Sequence, residues 1–243
     1  MKDWLALHLR LTMFVSGELS LDSLWSLISP EPPEVDESRP RESIRRLVVT
    51  NDDAQLELQS LPGRIDFIMG SVSVPGVPLA INLGKVDEQL KIFTSFAKAI
   101  LDGANLEITR LAFGLVLHRP VADRTAGYKE LSKLTSLQLD PVKSKEFMLQ
   151  INYPSQFQID DQQIELNRLT KWSSAVMKRY SLIVNSENVS AVTPTLLDEN
   201  FVLLEIDNSS PMERQDAFSK NSLNAILDKL VELAIESSNG IVV

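Results

Sequence analysis

Positions 8 and 118 hold the two histidines of this 243-residue chain, and it has no cysteine. That pair bounds the acid–base, nucleophilic and metal chemistry the chain can run. A histidine-based metal site needs three ligands at matched spacing, and two isolated histidines on separate segments do not supply them. Neither has an Asp or Glu placed in sequence to orient its ring. A serine triad would need one of them, yet no Gly-x-Ser-x-Gly elbow occurs. Without cysteine, thiolate nucleophiles, disulfides and Cys-based zinc sites are excluded, and a reducing cytoplasm is the natural compartment.

His118 and Arg119 end the stretch ITRLAFGLVLHRP, residues 108–120. On a regular strand they point to opposite faces, and Pro120 keeps them extended and stops the ladder. Arg110 shares the face of His118, but eight residues at roughly 3.3 Å each separate the two by about 26 Å. Arg110, Gly114, His118 and Arg119 therefore read as architecture or partner contacts, and no catalytic residue is assigned. Glu205 and Asp207 share one face of the later stretch FVLLEID, residues 201–207. With a third acid they could hold a divalent cation, which makes them the weak metal candidates; capping amides or meeting an arginine is the commoner use.

Other motifs are missing. Asp52-Asp53 and Asp160-Asp161 are turn pairs outside any EF-hand pattern. No Glu-x-Lys or Asp-x-Lys tripeptide serves a restriction-type nuclease. Gly84-Lys85 lacks the glycine loop and Ser/Thr of a P-loop, and no Gly-x-Gly-x-x-Gly is present. An aromatic platform with interleaved bases, as RNA binding needs, is missing too. No cofactor is implied.

The elements that must position these residues follow from periodicity. Residues 5–15 alternate, with Leu5, Leu7, Leu9, Leu11, Met13 and Val15 on one side, which predicts a half-buried strand. SLDSLWSLI is a short helix. SPEPPEVDESRP, with four prolines among four acids, predicts a flexible loop over 30–43 that pairs with nothing. Strands at 44–50, 54–60 and 64–70, joined by turns at Asn51-Asp52-Asp53 and Pro62-Gly63, form an antiparallel meander. VPGVP at 74–78 breaks the pattern before a helix over 86–101. In 108–120 the odd positions Leu111, Phe113, Leu115 and Leu117 make a bulky apolar face. Ala112 and Gly114 leave the other face small, as where something approaches closely.

The second half predicts a helix at 126–137, a strand at 146–153, a long or bent strand or hairpin over 162–184, and a buried strand at 201–207. A long closing helix follows, with Ser210 as cap, Pro211 at the first helical position and Glu213 completing a capping box. The fold class expected is α+β: antiparallel β-meanders, each followed by a long amphipathic helix. Two similar lobes, 1–120 and 121–243, satisfy that pattern; so does one large antiparallel sheet with helices on one face.

The chain is 44% hydrophobic with a formal net charge of −9. Residues 1–120 hold 12 Lys and Arg against 16 Asp and Glu, and the rest hold 12 against 17. The acidity is even, so neither half resembles a basic nucleic-acid module. Arg39, Arg41, Arg45 and Arg46 follow the acidic run from Glu31 to Glu37 and read as neutralised by it. In MKDWLALHLRLTMFV the apolar run is interrupted by His8 and Arg10, with no cleavage site behind it, so no secretory signal is expected. No window reaches the roughly 20 apolar residues of a membrane span.

RLAFGLVLHRP, followed by GYKELSKL and then by LEID before a closing helix, resembles a sporadically distributed family of uncharacterised bacterial proteins of similar length. The matching positions are Arg110, Gly114, Leu115, His118 and Arg119, with Glu205 and Asp207 later. The resemblance implies a bacterial accessory protein from mobile or defence-associated gene clusters and carries no activity over.

These observations lead to a non-catalytic, protein-binding accessory protein, immunity-like or antitoxin-like. A sheet edge could take a partner strand, or the small face at Ala112 and Gly114 a helix. An acidic surface favours a partner with a basic surface, and a homodimer is compatible. The rival is a hydrolase or metal-dependent enzyme built on scattered carboxylates with Arg110 or Arg119.

Overall fold

β7 (Glu107–Val121) is the strand from which the architecture is best understood, because both of its edges are paired. In the computed structural model, residues 3–17, 20–51, 54–72, 82–103, 105–177, 180–185, 188–194, 199–214 and 216–241 are described. The elements before β7 are β1 (Leu5–Ser16), α1 (Leu21–Trp25), β2 (Val35–Arg39), β3 (Ile44–Asn51), β4 (Ala54–Leu61), β5 (Arg64–Ser71), β6 (Gly84–Lys85) and α2 (Val86–Gly103). After it come α3 (Arg124–Thr135), β8 (Met148–Asn152), β9 (Ser155–Ile159), β10 (Gln162–Met177), β11 (Tyr180–Asn185), β12 (Asn188–Pro194), β13 (Glu199–Ser209) and α4 (Lys220–Ser238).

Eleven strands form one antiparallel sheet in the order β2-β3-β4-β5-β1-β7-β13-β10-β8, with β6 beside β1 and β9 beside β10. Among the described residues β11 and β12 pair with each other alone. This corrects the expected fold class. The molecule is mostly antiparallel sheet, not two meanders each closed by its own helix. β7 joins the halves, since its two edges pair with β1 and with β13. Periodicity identifies strands but not their partners, and the partner across β7 lies about 90 residues away.

The helices cover one face. Leu9, Leu11 and Met13 of β1 and Leu111, Phe113, Leu115 and Leu117 of β7 are fully buried there. They meet Phe93, Ala97 and Ile100 of α2 and Ile226, Leu227 and Leu230 of α4 in one core. Phe93 stacks on Phe67 at 5.1 Å and tilts against Phe113 at 5.8 Å. Each such Leu, Ile, Met or Phe side chain contributes about 1.5–3 kcal/mol on burial. α2 and α4 also touch, through Lys98 and Asp228 at 2.7 Å.

Three local readings change. The alternation of β1 slips at a bulge between Ala6 and His8, so Ala6 is buried although Leu5 and Leu7 are only half-buried. Residues 35–39, expected to pair with nothing, form an exposed edge strand on β3. The prolines flank that strand without interrupting it. α4 starts at Lys220 with Ser219 as its cap, nine residues after the expected Ser210. Ser210 is fully buried, bonding Leu111 through both its backbone N–H (2.9 Å) and its side-chain hydroxyl, which accepts from the Leu111 N–H at 3.0 Å. A hydroxyl before a proline suits a helix cap by type, but the β7 backbone takes it here. The turn at Asp52-Asp53 and the break at 74–78 lie outside the described residues.

Among the described residues no helix is long and apolar enough to cross a membrane. Of the Arg cluster, Arg45 and Arg46 are neutralised by acids, and they sit on a strand instead of a loop. Arg45 binds Asp22 and Asp36 at 2.8 Å, and Arg46 binds Glu57 at 2.8 Å. Hydrogen bonding to Arg45 holds Asp22 and Asp36 below the usual carboxylate range and raises Arg45 itself.

Candidate functional site

The face of the sheet away from the helices carries the chemistry. Where β1, β7, β13 and β10 run side by side, register decides which side chains meet. Arg10 lies opposite Gly114, Gly114 opposite Asp207, Val116 opposite Glu205, and Glu205 opposite Lys171. Together with His8, they line a shallow depression of about 350 Å³.

Each carboxylate there has a cation. Glu205 accepts a hydrogen bond from Lys171 Nζ at 2.8 Å, and Asp207 faces Arg10 at 3.8 Å. Among the described residues no group of three His, Asp or Glu side chains could hold a metal ion. Glu205 and Asp207 do share a face, as the strand period implies, but their neighbours are cations instead of a third acid. These half-exposed pairs contribute about 0–1 kcal/mol each.

Gly114 is small for a reason the sequence did not specify. A Cβ there would meet the Nε, Cβ and Nη2 atoms of Arg10 at 3.5–3.6 Å. The close neighbour is thus the Arg10 side chain lying across the strand, where a packed helix or a partner segment had been expected. Arg110 lies further along the same face, over the Phe14 ring at 4.8 Å, and donates to Ser209 Oγ at 3.1 Å.

His118 and Arg119 do point to opposite faces. His118 is 6% exposed and lies against the Phe201 ring at 4.9 Å, and burial lowers its pKa. Arg119 is on the helix side, stacked over Trp4 at 4.4 Å and paired with Glu130 of α3. The carboxylate it reaches belongs to its own chain, and the contact ties α3 to the sheet. His8 also titrates below its ordinary value, first because of burial and then because of Arg10, against smaller opposing effects of Glu57 and Asp66.

Sequence reasoning missed Arg10, Lys171 and a second polar cluster on the same face. Asp66 is only 1% exposed, yet its carboxylate accepts from Thr12 Oγ1 at 2.6 Å and from Arg64 Nε at 2.9 Å. A buried carboxylate requires such partners. The Arg64-x-Asp66 spacing, two residues apart on a strand, was the legible signal. Arg10 and Lys171 had none, because cross-strand neighbours depend on register alone.

No protein-family model and no curated protein matches the chain.

Proposed function

We propose that this is a non-catalytic, protein-binding accessory protein of bacteria, of the immunity, antitoxin or defence-associated kind. It acts in the cytoplasm, presenting the open face of its sheet to a partner with a basic surface. The observation that carries this reading is the mutual commitment of the charged groups at the depression. Lys171 with Glu205 and Arg10 with Asp207 leave neither an acid–base pair nor a ligand set. A broad sheet face of paired charges is suited to steering and orienting a partner surface, which electrostatic complementarity does well. The chain's excess of acid, −9 overall, favours a cationic partner.

The products of the neighbouring genes are the probes that test this. Each is purified and titrated against the protein by calorimetry at low and high salt. A basic neighbour that binds, more weakly in high salt and more weakly still to a folded Glu205→Gln/Asp207→Asn variant, is the expected result. Binding by none of them, together with substrate turnover that requires Glu205 or Asp207, would replace this reading with the enzymatic one.

A further inference from the structure

The two ends of the sheet are built differently. β2, at one end, is fully exposed and carries Asp36, Glu37 and Arg39. Charges of that kind blunt an edge against further pairing. At the other end, β8 belongs to a run, residues 147–159, without a single charged residue. Met148 there is 66% exposed, and Leu149 and Ile151 are only half-buried. Among the described residues β8 pairs on one side alone, with β10. Pro154 separates it from β9, so the available edge is short and has a defined end.

We infer that β8 is a homodimer interface, on which a second copy adds its own β8 antiparallel about a two-fold axis at Gln150. The sequence of the strand, MLQIN, is suited to this register. Met148 falls opposite Asn152, Leu149 opposite Ile151, and Gln150 opposite its own copy. Apolar residues thus meet on the helix side and uncharged ones on the open side, and no charge faces a like charge. Net charge decides the occupant. Two copies at −9 repel over most of their surface, so the short neutral edge of β8 is where they can approach. A partner with a basic surface gains nothing at this edge, since it holds no acid. The two-fold axis of an antiparallel pair is perpendicular to the sheet. Both open faces therefore lie on the same side, which doubles the surface offered under the proposed function without covering it.

Sedimentation equilibrium of the full chain tests this. The mass should rise from 27.2 kDa toward twice that value between about 1 and 100 μM, the range of small interfaces. Gln150→Lys and Gln150→Glu each place like charges on the axis, and each should weaken association at least about tenfold while keeping the native circular dichroism. Gln150 is exposed, so these variants have no core to disturb. Mixing the two should restore association, in a salt-sensitive way, because opposite charges then meet. A mass of 27.2 kDa up to about 500 μM would overturn the inference. So would a dimer that neither variant weakens, or variants whose mixture fails to reassociate.

Discussion

The two faces of β7 differ more than any two elements of the fold. On the helix side Leu111, Phe113, Leu115 and Leu117 are fully buried in one core with α2 and α4. On the open side Arg110, Gly114 and Val116 face cross-strand neighbours that are mostly charged or polar. The first face determines that the chain folds. The second is where function can reside, and its charged groups largely satisfy one another. Substitutions on one face should therefore cost stability, and those on the other should leave it nearly unchanged.

The largest effect is expected on the helix side. Phe113→Ala removes a ring that touches Phe93 and leaves a cavity, which should destabilise by about 3–5 kcal/mol in chemical denaturation. A loss below about 1 kcal/mol would mean that the helix layer does not sit on β7. Arg119→Ala comes next. Its guanidinium is mostly covered, stacked on Trp4 and bonded to Glu130, so about 1.5–3 kcal/mol should be lost. A Glu130→Gln variant should show the same pairing loss in a double-mutant cycle.

The open side gives a pH signature instead. Burial lowers the pKa of His118 and of His8, so both favour the neutral form when folded. The unfolded chain then binds more protons below about pH 6.5, and stability falls as the pH drops through and below that value. Replacing both histidines with glutamine should flatten the acid side of a plot of Tm against pH. An unchanged slope would place the acid sensitivity elsewhere. The smallest effect is Gly114→Ala. The new methyl meets Arg10 at ordinary contact distance and the backbone is unstrained, so the outcome should lie between no change and a gain of about 0.4–1 kcal/mol. A substantial loss would show that Arg10 cannot move.

This contrast explains which parts of the molecule were legible. Alternation in 110–118 separates the two faces of β7 correctly, because side-chain direction is a local property of a strand; a register shift before Arg110 turns Ile108 into the core. The sharing of a face by Glu205 and Asp207 is legible for the same reason. Their partners Arg10 and Lys171 are not, since each contact depends on which strand lies alongside and in what register. Two lobes and one continuous sheet fit the alternation equally well for that reason. Ser210 shows the same limit at one residue: its type and spacing describe a helix cap, and a neighbour 99 residues away claims its hydroxyl.

The central claim is that the carboxylates of the open face serve recognition, not catalysis. A turnover assay tests it most directly, using ester, phosphoester and peptide substrates, with and without magnesium or manganese. Wild type and the Glu205→Gln/Asp207→Asn variant are run side by side, each shown to be folded. The account predicts that neither exceeds buffer. Turnover by the wild type that disappears in the folded variant would contradict it.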